Sequence, residues 1–283
     1  EFVKIEHTLF ALPFVLAGMV VGFLRVGAPT VGEGLRVGLL VLVAATAART
    51  LAMTLNRIVD RRIDARNPRT ATRALVTGEM PMGLAVAIAA ASGLALLVSA
   101  GMLNPLAFWL SPVLVGLFFA YPYMKRVSWL CHLVLGLAFL CAPAGGYLAV
   151  TGSFDGWLPP LLLGLAAMAW VAGFDILYAL LDVDFDRSAN LHSAPADLGV
   201  PNARRLSAAL HVLTAFFLAV FAYTHPAMGW PMYVAVIAIA ALLAYEHATA
   251  HPEDPVAINK AFFHVNAVVG WIALAGVLGS LAL

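Results

Sequence analysis

The sequence NRIVDRRID, residues 56–64, stands where a long apolar run gives way to an arginine-rich segment. On an α-helix, four residues advance about 400°, so residues four apart drift by only about 40° around the axis. Asn56, Asp60 and Asp64 therefore project from one helical face, one turn apart. We call these three residues the first ladder, because their side chains offer a row of oxygen ligands.

A second row of oxygen-bearing side chains follows far downstream, at the end of another apolar segment. Asp175, Tyr178, Asp182 and Asp186 stand at offsets of three, seven and eleven residues, which also return to one helical face. We call them the second ladder. Asp184 would point about 160° away from Asp182 on the same helix, so it is not expected to take part. Two such ladders, each ending an apolar helix, predict one shared site.

The composition indicates a membrane protein. Of the 283 residues, 63% are hydrophobic and 11% are charged, and the mean hydropathy is +0.93, whereas a soluble domain averages about 25% charged residues. A helix needs about 20 apolar residues to span a bilayer. Nine segments qualify, at 8–27, 35–58, 82–101, 103–121, 128–150, 158–182, 203–224, 228–247 and 261–283. We therefore predict an all-α bundle of nine transmembrane helices that forms a single domain over residues 1–283.

The placement of lysine and arginine predicts the orientation. The N-terminus and the loops after segments two, four, six and eight hold thirteen of the sixteen basic residues, and the opposite loops hold two. Basic loops stay in the cytoplasm. We expect a chain in the inner, cytoplasmic membrane with both ladders opening to the cytoplasm.

Other whole-chain features are less informative. The net charge of +1 gives no indication of a nucleic-acid partner, and no obligate protein partner is evident from the sequence. Because the chain begins at Glu1 rather than Met, we expect N-terminal residues to be missing. We see no cleavable signal pattern of a basic stretch, a short apolar stretch and a small-residue site.

The ladders have a simple explanation, in which their carboxylates pair with adjacent arginines and end the helices. Carboxylates near hydrocarbon are costly and usually functional, however. Two ladders on one predicted side favour a ligand site. Clustered oxygens suit Mg²⁺, which commonly bridges carboxylates to substrate phosphates, and the nearby arginines and Lys125 would balance a diphosphate. The pattern predicts a magnesium–diphosphate site at the mouth of an apolar bundle, suited to a substrate with a hydrocarbon tail.

These motifs resemble those of the UbiA superfamily of intramembrane prenyltransferases, which has nine transmembrane helices and aspartate-rich motifs on helices two and six. Residues 56–64 resemble the first motif, and residues 69–75 (RTATRAL) resemble its arginine-containing continuation. Residues 178–186 resemble the second motif, and residues 121–125 resemble the short tyrosine–lysine motif after helix four. The resemblance covers nearly the whole chain.

The resemblance implies Mg²⁺-dependent transfer of a polyprenyl group from a polyprenyl diphosphate to an aromatic acceptor, within the lipid bilayer. The implied magnesium ligands are Asp60, Asp64, Asp182 and Asp186, with help from Asn56. The implied diphosphate contacts are Arg69, Arg73 and Lys125.

Other candidate residues have more than one interpretation. Tyr121 and Tyr178 would orient the leaving group or stabilise an allylic cation through their ring faces, and each could equally anchor the chain at the membrane interface. Lys4 could reach the acceptor or the diphosphate. Asp175 could bind the acceptor or orient a ligand, and His192 could contact the acceptor.

The acceptor is predicted from a finer resemblance. The local sequences around His7, at residues 174–179 (FDILYA) and at residues 191–193 (LHS) most resemble those of the MqnP-type branch. That branch is associated with menaquinone made through futalosine. We therefore predict 1,4-dihydroxy-6-naphthoate as the acceptor, with 4-hydroxybenzoate, the acceptor of the ubiquinone-type branch, as the alternative. An enzyme that prenylates haem or chlorophyll and an ion-coupled transporter are further alternatives. Transporters, however, usually place acids near the bilayer midplane on broken helices.

Cysteine accessibility tests the predicted orientation. In a chain whose Cys131 and Cys141 are replaced by serine, Arg66→Cys should react with an impermeant maleimide only when the cytoplasmic face is open, because basic loops stay inside. Ser153→Cys, in the turn between segments five and six, is the control and should be labelled from outside intact cells. Labelling of Arg66→Cys from outside would overturn the orientation.

Overall fold

The computed structural model describes residues 8–250 and 254–283, so the expectations for Lys4 and His7 lie outside the described residues. Every regular element in these ranges is a helix. A 3₁₀ turn at Ala179–Asp182 joins the seventh helix to the eighth. The helices are α1 (Thr8–Val26), α2 (Val31–Asp64), α3 (Ala74–Thr77), α4 (Met82–Leu103), α5 (Pro105–Met124), α6 (Cys131–Thr151), α7 (Leu158–Tyr178), α8 (Val183–Ser188), α9 (Ala194–Leu198), α10 (Val200–Thr224), α11 (Trp230–Thr249) and α12 (Pro255–Leu281).

The predicted all-helical membrane fold is confirmed. Within the described ranges, eight helical stretches are long and apolar enough to cross a membrane, and α1 adds a shorter apolar stretch, Phe10–Val26. These nine correspond to the nine predicted segments. The eight longer stretches include α7, which continues through the 3₁₀ turn to Ser188.

Helix α2 is longer than predicted. It continues past residue 58 to Asp64, so Arg57, Arg61 and Arg62 belong to the helix and not to the loop that follows. Its 34 residues extend about 50 Å at about 1.5 Å per residue, well beyond a hydrocarbon core of about 30 Å. The end of α2 therefore carries the first ladder out of the apolar span.

The largest core cluster surrounds Trp170 of α7, which is fully buried. The rings of Phe14 and Phe174 lie 5.5 and 5.2 Å from the Trp170 ring, centroid to centroid. Trp170 Nε1 donates to Asn266 Oδ1 at 2.7 Å, and Asn266 Nδ2 donates to Glu246 Oε1 at 2.7 Å. These bonds link α7, α12 and α11, because a polar group left unpaired in an apolar interior is costly.

A second core cluster places the end of α2 beside the end of α5. Leu51 and Ala47 of α2 are buried with Leu96 of α4 and Phe118 of α5. Both helices run towards the same side of the bundle in this arrangement, as do α7 and α8. The carboxyl ends of α2, α5 and α7 thus meet, and that meeting positions the site.

Helices α1 and α6 touch through their backbones. A methyl group at Gly146 would collide with the carbonyl of Val15, and one at Gly18 would collide with the carbonyl of Pro143. Small residues permit this close approach of membrane helices, where van der Waals packing is the main source of association. The neighbouring Gly145 has no atom within 4 Å of the equivalent position.

This contrast predicts opposite outcomes for adjacent substitutions. Gly146→Ala should destabilise the fold by about 1–3 kcal/mol, because the added methyl must separate α1 from α6. Gly145→Ala, the matched control, should be neutral or stabilising, since alanine favours helices by up to about 1 kcal/mol over glycine. Thermal unfolding in detergent measures both. Equal midpoints for the two variants would contradict the packing described.

Candidate active site

The first ladder lies on the last turns of α2 with its two carboxylates almost inaccessible: Asp60 is 2% exposed and Asp64 is 5% exposed. Lys125 Nζ lies 2.5 Å from Asp60 Oδ2, and Arg126 Nη2 lies 3.2 Å from Asp60 Oδ1. Arg73 Nη1 donates to Asp64 Oδ2 at 2.7 Å. The helix therefore presents both carboxylates as predicted, and each has a basic partner.

The second ladder is not carried by one continuous α-helix, and the prediction that its members share one helical face is wrong. Helix α7 ends at Tyr178, residues 179–182 form the 3₁₀ turn, and α8 begins at Val183. A 3₁₀ helix turns about 120° per residue, against about 100° in an α-helix. Four such residues add about 80° to the α-helical rotation, so Asp182 lies about 60° around the axis from Asp175 instead of about 20°. Asp175 accordingly bonds to α6, whereas Asp182 meets the loop that follows α2.

That loop joins the two ladders. Asn67 Nδ2 and Arg69 Nε each donate to Asp182 Oδ1 at 2.9 Å, and Arg69 Nη2 pairs with Asp182 Oδ2. Arg69 Nη1 also donates to the Tyr178 hydroxyl at 3.0 Å, and its guanidinium lies 5.0 Å from the centre of the Tyr178 ring. Burial opposes the charge of Arg69, but Asp182 outweighs burial and raises the guanidinium's pKa. The structure therefore brings Tyr178 and Asp182 of the second ladder to the loop that follows the first ladder.

The remaining predicted residues lie near the end of the bundle where α2, α5 and α7 meet, which we call the mouth. Asp186 is half-buried and lies within electrostatic range of Asp182 and Lys125. The ring of His192 bonds to an acidic residue outside the ladders, since its Nδ1 lies 2.9 Å from Asp197 Oδ2. The His192 backbone N–H donates to the Lys125 carbonyl at 2.7 Å and so fixes the end of α5.

A further polar group is buried beside this site. His132 of α6 is 3% exposed, and its Nδ1 lies 2.7 Å from Asp175 Oδ2. Tyr121 of α5 lies within electrostatic range of Asp175, Asp60 and Arg49. Arg49, about three turns before Asp60 on α2, has a buried Nε with no hydrogen-bond partner among the described residues. We call Arg49, Tyr121, His132 and Asp175 the interior polar group.

Four residues of the site and of the interior polar group were not predicted from the sequence to have a role: Arg49, Asn67, Arg126 and His132. The signal for Arg49 was present, because an arginine inside an apolar span is rare and usually functional. Asn67 precedes Pro68, and because this dipeptide is typical of a turn it gives no indication of a contact with Asp182. Nothing local to His132 indicates its partner, which lies 43 residues further along the chain.

The simple explanation of the ladders accounts for only part of these contacts. Arg73 is near Asp64 in sequence, and their pair fits that explanation. Asp60, however, pairs with the end of α5, and Asp182 pairs with a loop 113 residues earlier. Basic and acidic side chains thus converge from separate elements, which is what a binding site for a charged ligand requires.

The profile of the UbiA prenyltransferase family matches residues 11–281, nearly the whole chain. The chain belongs to the UbiA prenyltransferase family. Curated relatives of this UbiA-family chain include a 4-hydroxybenzoate octaprenyltransferase of Colwellia psychrerythraea, 33% identical over 223 residues that cover 76% of this chain and 74% of that protein. A 4-hydroxybenzoate solanesyltransferase of Synechocystis sp. is 30% identical over 223 residues, covering 76% and 73%.

Solved UbiA structures share the fold. A UbiA homologue from Aeropyrum pernix K1, in its apo form, has a TM-score of 0.85 and 34% identity, covering 98% of both chains. A UbiA homologue from Archaeoglobus fulgidus bound to DMAPP and Mg²⁺ has a TM-score of 0.75 and 19% identity, covering 100% of this chain and 98% of that one. The predicted family and prenyltransferase activity are confirmed, and the transporter alternative loses its support.

Proposed function

We propose that this chain transfers a polyprenyl group from a polyprenyl diphosphate to a hydroxylated aromatic carboxylate, with Mg²⁺ as its cofactor. The observation that carries the proposal is the meeting of both aspartate ladders with Arg69, Arg73 and Lys125 at one mouth of an apolar bundle. Carboxylates suit a metal ion, basic side chains suit a diphosphate, and the apolar bundle suits a hydrocarbon tail. The Archaeoglobus fulgidus homologue of the same fold binds DMAPP and Mg²⁺.

The ion pairs of the mouth indicate how the substrate is received. An entering diphosphate offers oxygens to Arg69, Arg73 and Lys125, and arginine binds such oxygens in bidentate geometry. A basic side chain that moves to the diphosphate releases a carboxylate oxygen for Mg²⁺, while Asp60 keeps Arg126 as a second partner. The site therefore exchanges partners and keeps its charge balanced.

The donor set fits Mg²⁺. This ion prefers octahedral oxygen coordination and is usually held by one or two carboxylates, with substrate phosphates and water completing its shell. Among the described residues, no three His, Cys, Asp or Glu side chains converge on one point, so diphosphate oxygens would supply the remaining ligands. When bound, Mg²⁺ neutralises charge that develops on the leaving diphosphate. Its protein ligands would be drawn from Asp60, Asp64, Asp182, Asp186 and Asn56.

The basic and aromatic side chains of the mouth would assist ionisation. Arg69, Arg73 and Lys125 bind the diphosphate oxygens and stabilise the charge that these gain as the allylic C–O bond breaks. The ring of Tyr178 already accepts a guanidinium at 5.0 Å. It is therefore suited to face an allylic cation once Arg69 has moved to the diphosphate. The electron-rich ring of the acceptor attacks this cation and then loses a proton.

Arg49 is suited to the carboxylate of the acceptor. It lies within the apolar part of α2, and its buried Nε has no hydrogen-bond partner among the residues that the structure describes. A buried donor without a partner costs about 1–3 kcal/mol, and a carboxylate is the partner that a guanidinium binds most strongly. Tyr121 lies within electrostatic range of the same guanidinium, so an aromatic carboxylate would meet both side chains.

The relatives favour 4-hydroxybenzoate as the acceptor. The proteins from Colwellia psychrerythraea and Synechocystis sp. are both named for it, at 33% and 30% identity. The prediction of 1,4-dihydroxy-6-naphthoate rests only on the similarity of short local sequences and has no support from these relatives. We therefore propose 4-hydroxybenzoate first and the naphthoate second.

We also propose that the chain lies in the inner membrane with the mouth facing the cytoplasm. The support is the clustering of basic residues in the segments that surround the mouth, because such segments are retained in the cytoplasm. Mg²⁺ and the charged head group of a membrane-held polyprenyl diphosphate would reach the mouth from that side.

The metal site is tested by a pair of neighbouring aspartates. Asp182→Asn should lower kcat at least about 100-fold, the loss typical when a group that stabilises developing charge is removed. EDTA should abolish wild-type transfer, and added Mg²⁺ should restore it. The matched control is Asp184→Asn, whose side chain is exposed and should be dispensable. Equal loss in both variants, or full activity in EDTA, would contradict the proposed site.

The acceptor is tested by direct competition. Membranes that contain the chain are incubated with Mg²⁺, a polyprenyl diphosphate and equal amounts of the two acceptors, and the products are identified by mass. We expect 4-hydroxybenzoate to have the higher kcat/KM, with some prenylation of the naphthoate, because apolar groups change discrimination by only about 1–3 kcal/mol. A higher kcat/KM for the naphthoate would reverse the order of candidates. No product with either acceptor would overturn the proposed function.

A further inference from the structure

Asp175 is the accessible residue of an otherwise buried stretch of α7. From Val171 to Leu177 every residue except Asp175 is buried, and the Asp175 side chain retains 23% of its accessible surface. An acidic side chain in an apolar bundle usually faces a cavity or has a functional role. One of its oxygens, Oδ2, is bonded to His132, whereas no described residue donates a hydrogen bond to Oδ1.

The contact made by Nε2 of His132 determines which ring nitrogen of His132 carries the hydrogen. The Ala194 backbone N–H donates to His132 Nε2 at 3.1 Å, so Nε2 must present a lone pair. In a neutral imidazole the other nitrogen then carries the hydrogen. His132 Nδ1–H therefore donates to Asp175 Oδ2 at 2.7 Å. This arrangement holds Asp175 as a carboxylate in one orientation, with Oδ1 as its available acceptor.

Asp175 also lies between the mouth and Arg49. It precedes Asp182 by about two helical turns, and Arg49 precedes Asp60 by about three, so Arg49 is the deeper of the two. Tyr121 is within electrostatic range of both Asp175 and Arg49. An aromatic acid whose carboxylate binds Arg49 would point its opposite end towards the mouth, past Asp175.

We propose that Asp175 Oδ1 accepts the proton of the acceptor's ring hydroxyl, and that His132 is a positioning residue that holds Asp175 for this role. The inference rests on the proposed function, since it assigns the atom that activates the acceptor. It makes Asp175 a catalytic residue on the acceptor side, separate from the aspartates that face the diphosphate.

The proton balance of the reaction is complete with these groups. Asp175 takes the hydroxyl proton, and the resulting phenolate directs electron density to the ring carbon beside it, because the opposite carbon carries the carboxylate. The prenyl C1–O bond breaks and its electron pair leaves with the diphosphate, and the activated ring carbon then bonds to C1 of the allylic cation. The ring carbon then loses its hydrogen as a proton to the released diphosphate. Asp175 finally returns its own proton to the phenolate oxygen.

The test compares two acceptors in the full-length chain. 3-Fluoro-4-hydroxybenzoate has a more acidic hydroxyl than 4-hydroxybenzoate and keeps one free carbon beside it, so it depends less on a base. Asp175→Asn should lower kcat/KM for 4-hydroxybenzoate by about 100-fold, within the range for a general base. The loss relative to wild type should be about tenfold smaller for the fluorinated acceptor. The KM for the polyprenyl diphosphate should stay close to that of wild type.

Variants of His132 separate positioning from folding. His132→Gln can still donate to Asp175 and accept from Ala194, so it should retain more transfer than His132→Leu and show the same acceptor dependence in weaker form. The matched control is His211→Gln, since His211 is equally buried and bonds to the Trp170 carbonyl and to His247. His211→Gln should lower kcat/KM equally for both acceptors, if at all.

The outcomes distinguish the inference from the proposed function. A loss in Asp175→Asn that is equal for both acceptors, or one that appears mainly as a raised KM for the diphosphate, would overturn the inference and leave the proposed function intact. A wild-type chain that prenylates no hydroxylated aromatic carboxylate would overturn the proposed function and the inference with it.

Discussion

The ion pair between Arg69 and Asp182 is the contact on which the site depends. It joins the loop after α2 to the end of α7 across 113 residues of sequence, and Asn67 and Tyr178 complete the same contact. Without it the two aspartate ladders would belong to separate helix ends. A surface ion pair contributes about 0–1 kcal/mol, but this pair is partly buried and part of a network. The main effect of this pair is to hold the carboxylates at the end of α7 next to those at the end of α2.

The sequence was sufficient for the helical membrane architecture because each apolar segment is long enough to be recognised as one membrane-spanning helix. The geometry of residues 56–64 was also predicted correctly, because these residues lie on one regular helix that ends at Asp64. The prediction that the second ladder shares one helical face was wrong for a physical reason. A periodicity argument assumes a rotation of about 100° per residue, whereas the 3₁₀ turn at residues 179–182 rotates by about 120° per residue. Pairings such as His132 with Asp175 could not be read from the sequence, because they depend on how α6 packs against α7.

The 3₁₀ turn has a structural consequence for function. Because it rotates Asp182 away from the face of Asp175, α7 and its continuation present acidic groups to two different places. Asp182 meets the loop cations at the mouth, and Asp175 meets His132 in the interior. A straight α-helix would align all four residues of the second ladder on one face. Under the proposed function, the turn would let one chain segment serve a diphosphate and an aromatic acceptor separately, while Trp170 and its bonded neighbours keep α7 in place.

Under the proposed function, the paired aspartates also couple the binding of the metal to the binding of the diphosphate. Removing one partner from a buried ion pair costs about 3–5 kcal/mol, because an uncompensated charge remains. A diphosphate alone would draw Arg69, Arg73 and Lys125 from their aspartates and leave those carboxylates unbalanced beside a new anion. Mg²⁺ alone would take the carboxylates from the same basic side chains and leave those cations crowded without their partners. Each ligand relieves the charge that the other creates, so the site favours the metal and the diphosphate together over either one separately.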